Sequence, residues 1–204
     1  MSRPAHGRLI AFEGIDGSGK SSTLDRVARV LVKEGHDIVA TREETPSERG
    51  EWVRTSIAGH WDPLTTTFLF LADRAEHVHE MKGWIAAGKT VLCDRFVHST
   101  YAYQGLTLKG HVADPRAFLA GLHEPWCPLP DKVLLFKADP ARCFDRVRKR
   151  GQTTSYEKVQ FLEQVQAAYL EEARRDSQRF HVLDAERDIE LVGRDALGIV
   201  RGWL

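Results

Sequence analysis

The segment Gly14-Ile15-Asp16-Gly17-Ser18-Gly19-Lys20-Ser21 constrains this chain more than any other. It fits G-x-x-x-x-G-K-[ST] at every fixed position. It follows the apolar run Arg8–Phe12 and leads into Leu24, Val27, Ala28 and Leu31, which recur at helical spacing. A strand, a glycine turn and a helix in that order form a cradle for phosphate. The glycines let the backbone curl so that successive N–H groups point inward. The helix start adds free amides and the positive end of its dipole. Lys20 would place its charge at the β- and γ-phosphates, Ser21 would offer its hydroxyl to Mg²⁺, and Ser22 adjoins them. The segment predicts binding of a nucleoside triphosphate, with no choice among kinase, GTPase and ATPase.

The remaining chain alternates short apolar runs with longer helical patterns. Strands are expected at Arg8–Phe12, Asp37–Thr41, Thr90–Cys93, Lys132–Phe136 and Phe180–Leu183. Each is rich in Val, Ile, Leu or Phe, as strands buried on both faces of a parallel sheet are. Between them, Leu64, Phe68, Leu71, Ala75 and Val78 make one stripe. Phe161, Leu162, Val165, Ala168 and Tyr169 make a second, and Ile189, Val192, Ala196 and Val200 a third. Gly35 stops the first helix, and Asp114-Pro115 and Asp139-Pro140 start two others. The expected fold is α/β: a doubly wound, parallel, five-stranded sheet flanked by helices. Ligands in such sheets lie at the carboxyl ends of the strands.

Composition excludes several alternatives. The 29 basic and 29 acidic side chains cancel, so no global field draws the chain to nucleic acid or anionic lipid. With 42% hydrophobic and 28% charged residues, its 204 residues suit one globular domain. The longest uncharged apolar stretch, Pro63–Ala72, is too short to cross a bilayer, and MSRPAHGR leads into no signal-type hydrophobic region. Cys93, Cys127 and Cys143 are odd in number and widely spaced, which reads as reduced thiols in a cytoplasmic protein. No membrane or nucleic-acid partner is expected.

Four segments beyond the glycine loop bear on a second substrate. Asp94-Arg95 ends the third strand, where an acid could hold Mg²⁺ and an arginine could fork onto phosphate. A helix-start carboxylate beside a solvated arginine is the competing reading. Thr41-Arg42-Glu43 ends the second strand, again at a carboxyl edge; a surface ion pair, worth little, is the competing reading. Phe70 and Arg74 lie one turn apart, beside the Leu64/Phe68/Leu71/Ala75 stripe. They could stack a base and bond its edge; peripheral packing with a snorkelling arginine is the simpler reading. Ser99-Thr100-Tyr101-Ala102-Tyr103-Gln104-Gly105 could read a base or sugar, or be a polar helix or loop. Arg142, Arg146 and Arg150 share a helix face ahead of Gly151-Gln152-Thr153-Thr154-Ser155. That pattern suits a lid at about 146–157 or a solvated basic face.

These pieces together resemble the thymidylate kinases, a branch of the P-loop nucleoside monophosphate kinases. The resemblance rests on FEGIDGSGKSS, TRE, FLFLADRAEH, VLCDR…STYAYQG and PDKVLLFKADP, in the family's order, and runs from Leu9 to about Leu191. It implies a P-loop NTPase fold, one kinase domain over 1–204, and ATP bound along Gly14–Ser22 with Mg²⁺. It implies that Phe70 stacks on thymine, Arg74 bonds its edge, and Thr100 and Gln104 lie near the base. Tyr103 would crowd the 2′ position, and Asp16 would approach the 3′-hydroxyl. Arg42 and Arg95 would hold the acceptor phosphate, Asp94 would serve the metal shell, and a homodimer is implied. Some members carry an arginine within the phosphate loop. This chain has Gly17 there and resembles the members with lid arginines, so Arg150 and then Arg146 are expected to face the transferred phosphoryl group. Two departures stand out: Glu44 occupies a position where the family often has proline, and Thr154-Ser155-Tyr156-Glu157 replaces a common D-R-F-E.

The resulting expectation is ATP + dTMP → ADP + dTDP. The alternatives are a kinase for another deoxynucleotide or a deoxynucleoside, and a weakened P-loop nucleotide-binding protein.

Overall fold

The computed structural model describes residues 7–149 and 156–204. The elements run β1 (Leu9–Gly14), α1 (Lys20–Lys33), β2 (Ile38–Arg42), α2 (Glu48–Ala58), α3 (Pro63–Ala86), β3 (Thr90–Asp94), α4 (Val97–Thr107) and α5 (Pro115–His123). They continue with β4 (Lys132–Lys137), α6 (Pro140–Arg148), α7 (Tyr156–Arg175), β5 (Phe180–Asp184) and α8 (Ile189–Arg201). All five expected strands form, each within a residue or two of the expected limits. They make one parallel sheet in the order β2-β3-β1-β4-β5. The chain leaves central β1 toward β2 and β3 on one side and crosses to β4 and β5 on the other. The order thus reverses at β1, and the glycine loop sits at that switch.

Alternation along β1 splits the core in two. Ile10 and Phe12 face a cluster with Leu24, Val27 and Leu31 of α1, Leu162, Val165 and Tyr169 of α7, and Val192, Ala196 and Val200 of α8. Leu9 and Ala11 face the other cluster, with Val78 and Met81 of α3, Val97 and Tyr101 of α4, and Leu119 of α5. Both faces of the sheet are therefore covered, which a parallel sheet requires.

Helix starts follow the side-chain chemistry. Asp114 accepts from the Ala117 amide at 3.0 Å and Asp139 from the Arg142 amide at 2.8 Å, each with proline following. Such caps contribute about 1 kcal/mol each. Ser47 caps α2 from the Gly50 amide at 3.3 Å. That helix lacks an apolar period, burying only Gly50, Val53 and Ser56, so periodicity did not reveal it.

The stripe expected on α3 needs correction. Leu71 and Val78 are buried, but Phe68 is 51% exposed and Ala75 is exposed too. The inward face instead carries Thr67, Leu71, Asp73, Arg74, His77, Val78 and Met81. It is partly polar because the β2–α2 connection packs on it. Asp73 accepts from the Thr45 amide at 2.8 Å and from the Thr45 hydroxyl at 2.5 Å. Among the described residues, no helix is long and apolar enough to cross a membrane.

Candidate active site

One crevice of about 1060 Å³ opens at the carboxyl end of the sheet. The glycine loop and α1 form one end, lined by Asp16, Gly17, Ser18, Gly19, Lys20, Ser21 and Ser22. The other end is lined by Phe70, Arg74, Thr100 and Gln104 on α3 and α4. Ile15 is fully buried in the core, and Gly14 adjoins Phe136 of β4.

Gly17 has φ +83°, and a Cβ there would lie 2.3 Å from the Cys143 carbonyl oxygen. The backbone of α6 therefore rests directly on the loop. Arg146 Nη1 adds a hydrogen bond to the Gly17 carbonyl at 3.1 Å. No side chain fits at position 17 without moving α6, and the cation near the loop comes from that helix instead. Gly17→Ala should lose ~1–2 kcal/mol from backbone strain alone. It should raise the KM for nucleoside triphosphate, and thermal melting with steady-state kinetics checks both.

Lys20 is only 5% exposed, and its Nζ lies 3.9 Å from Asp94 Oδ1. Burial and then the Arg95 charge push its pKa below the ordinary lysine value. Asp94 Oδ1 is buried and has no hydrogen-bond partner among the described residues. A buried carboxylate oxygen without a hydrogen-bond partner, together with the Ser21 hydroxyl on the crevice lining, fits a hard cation that brings most of its ligands on phosphate and water. No group of three or more His, Cys, Asp or Glu side chains capable of holding a metal occurs among the described residues.

Arg95 joins the two ends. It has φ +69°, a costly conformation for a side chain of its size. Its amide donates to the Phe12 carbonyl at 2.9 Å, which locks the turn after β3 to β1. Nη2 donates to Asp16 Oδ1 at 2.8 Å and to the Tyr103 hydroxyl at 3.2 Å. Nη1 donates to the Ser99 and Tyr169 hydroxyls at 3.2 and 3.3 Å. Arg95 holds the Asp16 carboxyl down at about 2. Tyr103 donates to Asp16 Oδ2 at 3.2 Å.

At the far end, Arg74 is 1% exposed, so the snorkelling reading is wrong. Its guanidinium bonds Glu43 through Nε and Nη2, Thr100 Oγ1 at 2.7 Å and His123 Nε2 at 2.7 Å. His123 Nδ1 faces the Leu119 carbonyl at 2.7 Å and must carry the ring proton, so Nε2 accepts from Arg74. Burial, reinforced by the Arg74 charge, pushes the His123 pKa down to about 4. Burial raises the Glu43 carboxyl, but Arg74 and the His77 hydrogen bond outweigh it and hold the group below its usual range. Ser99, Thr100 and Gln104 lie on a helix, α4, which resolves helix against loop.

Arg42 does not line the crevice. It closes β2 with an exposed side chain, while the next residue, Glu43, turns inward to Arg74. Neighbours on an extended chain point to opposite faces, and the buried pair claims the inner one. Asp94 is likewise absent from the lining, behind Lys20. Arg150, and with it residues 150–155 of the expected lid, lies outside the described residues. Sequence reasoning gave no site role to Glu13 or His123, placed Tyr169 only on an apolar stripe, and set Glu43 in a segment whose competing reading was a surface ion pair, whereas its pair with Arg74 is buried. A carboxylate inside the apolar strand run IAFEG was the available signal for Glu13. Burial lifts it to about 7 against the pull of Ser99 and Arg95.

Comparison with known proteins agrees with this architecture. The thymidylate kinase family model matches residues 12–196. A protein of Methanosarcina mazei named probable thymidylate kinase is 40% identical over 193 residues, 94% of each chain. Proteins of the same name from Methanococcoides burtonii and Methanosarcina barkeri are 39% and 38% identical, each also over 94% of both chains. The chain belongs to the thymidylate kinase family and is, with that family, an ATP-dependent nucleoside monophosphate kinase.

Proposed function

We propose that this chain, as a single kinase domain, transfers the γ-phosphoryl group of ATP to dTMP, giving ADP and dTDP. The observation that carries this reading is the continuity of the crevice from the glycine loop, through Arg95, to the Arg74–Thr100 pair. ATP lies with its phosphates against Gly14–Ser22, and dTMP lies with its base between Phe70 and Arg74. Thr100 and Gln104 border the base, and Tyr103 and Asp16 border the sugar.

An oxygen of the dTMP phosphate attacks the γ-phosphorus in line as the bond to the ADP oxygen breaks. That oxygen is already ionised near neutral pH, so no side chain acts as nucleophile and no base is required. The protein contributes position and charge. Lys20 neutralises the β- and γ-oxygens. Arg95 holds the acceptor phosphate and offsets the repulsion between two anions, and Arg146 approaches the transferred group from α6. Ser21 and Asp94 would hold Mg²⁺, which when bound with ATP neutralises phosphate charge. Arg42 is exposed and outside the crevice lining whereas Arg95 lines it, which supports Arg95 as the principal holder of the acceptor phosphate.

Three free, buried cysteines support a cytoplasmic setting. Exposed Trp52, Ile57 and Phe68 on α2 and α3 support the homodimer that family resemblance implies.

ADP release with dTMP, dUMP, dCMP and thymidine as separate acceptors tests the reading. We expect dTMP to be used best, dCMP to be poor, and thymidine to be inert for want of the phosphate that Arg95 holds. Preferred use of thymidine would overturn it.

A further inference from the structure

The buried carboxylate of Glu13 has a role in this site that the phosphate-loop pattern does not assign. It is fully buried and outside the crevice lining, and among the described residues it makes no direct hydrogen bond to Arg95. Its two oxygens do different work. Oε1 accepts from the amides of Phe96 at 2.9 Å and Ser99 at 3.2 Å, capping α4, which has no cap from its own N-cap side chain. Oε2 accepts from the Ser99 hydroxyl at 2.6 Å and the Tyr169 hydroxyl at 3.0 Å. Those two hydroxyls lie 2.7 Å apart, and both receive Arg95 Nη1.

The proton directions follow from valence. A guanidinium can only donate, so both hydroxyl oxygens accept from Arg95. Each hydroxyl owns one proton, and that proton must point away from Arg95, toward Glu13 or the neighbouring hydroxyl. Oε2 of the ionised carboxylate is the acceptor that closes this arrangement; because Oε1 is held by two amides, a carboxyl proton would sit on Oε2 and turn it into a donor toward one hydroxyl. Nη2 is left to Asp16 and Tyr103 on the crevice side.

We propose that Glu13 is a positioning residue: acting through the Ser99 and Tyr169 hydroxyls, it fixes the Arg95 guanidinium for the acceptor phosphate. This rests on the assignment of Arg95 to that phosphate under the proposed function.

Glu13→Gln separates the relay from the helix cap. The two backbone amides require an oxygen at Oε1, so the amide nitrogen falls at the Oε2 position. It donates to both hydroxyls and accepts nothing. One hydroxyl proton can pass to the other hydroxyl, but the second is forced toward Arg95, donor against donor. Arg95 loses part of its rear anchor, while α4 keeps its cap. Tyr169→Phe removes one hydroxyl of the relay and leaves Glu13 and the cap in place.

The test is steady-state kinetics of the full chain with ATP and dTMP for wild type, Arg95→Lys, Glu13→Gln and Tyr169→Phe, with thermal melting of each. Charge-assisted hydrogen bonds are worth about tenfold or more each. We expect Glu13→Gln to raise the KM for dTMP by about tenfold, with the KM for ATP held within about twofold. Tyr169→Phe should move the same constant in the same direction, and the double variant should fall short of the product of the two. An inactive wild type would refute the proposed reaction itself. An unchanged dTMP KM in Arg95→Lys would refute the arginine's assignment. With both of those intact, an unchanged dTMP KM in Glu13→Gln and Tyr169→Phe would overturn the relay. So would equal rises in both KM values accompanied by a lowered Tm, which mark a purely structural role. Should Glu13→Gln fail to fold, Tyr169→Phe decides alone.

Discussion

Lys20→Ala should lower kcat about 10²- to 10³-fold, the scale on which preorganised charge-stabilising groups act. The reason lies in the surroundings of Lys20. Its ammonium is buried beside the glycine cradle, and its ion pair with Asp94 is long, at 3.9 Å. Burial and the Arg95 charge both disfavour the cation. An added polyphosphate relieves that stress, so the interaction strengthens as negative charge gathers on the transferred group. The effect should therefore appear in kcat as well as in ATP affinity. Lys20→Arg keeps the charge, but its planar fork cannot occupy the space of a compact ammonium, and it should recover little activity. Steady-state kinetics with dTMP at saturation reads both. Turnover near wild type in Lys20→Ala would show that the charge acts elsewhere.

The largest effect on stability should come from Glu43→Gln. Arg74 is buried and takes its principal counter-charge from Glu43. Removing one partner of a buried pair leaves an uncompensated charge, at about 3–5 kcal/mol. For a chain of this size that is a fall in Tm on the order of 10 °C. Replacing both partners, as in Glu43→Gln with Arg74→Met, should recover part of the loss, because the stranded charge is gone. The double variant should still bind dTMP poorly, since Thr100 loses the Arg74 contact that holds its hydroxyl beside the base. Calorimetric melting and dTMP titration separate the two outcomes. The pair also sets an acid limit. The Glu43 carboxyl is held below its usual range, so its contribution is present above the unfolded carboxylate pKa. That contribution is lost as pH falls through the lower folded value.

Legibility in the sequence followed the physics of each feature. The strands could be read because a parallel strand covered on both faces must be almost wholly apolar, and local composition shows this. The cradle could be read because its chemistry depends on residues contiguous in the chain. Asp114-Pro115 and Asp139-Pro140 marked helix starts for the same reason: cap and first turn are neighbours. Side-chain direction was less accessible. Arg42 and Glu43 differ by one position, and only the packing of α3 against the β2–α2 connection decides which of them turns inward. The α3 stripe failed on the same point, since its inner face is held by charge pairs and hydroxyls that no hydropathy pattern registers. The Glu13 relay draws on β1, the turn after β3, α4 and α7, and each member is unremarkable in its own segment.

The most direct test is a crystal structure of the chain with a non-hydrolysable ATP analogue and dTMP bound together. The triphosphate should lie along Gly14–Ser22 with Lys20 at its β- and γ-oxygens. The dTMP phosphate should meet Arg95, and the thymine ring should lie between Phe70 and Arg74. A monophosphate bound away from Arg95, or a thymine ring outside the crevice, would contradict the claim that both nucleotides share this one site.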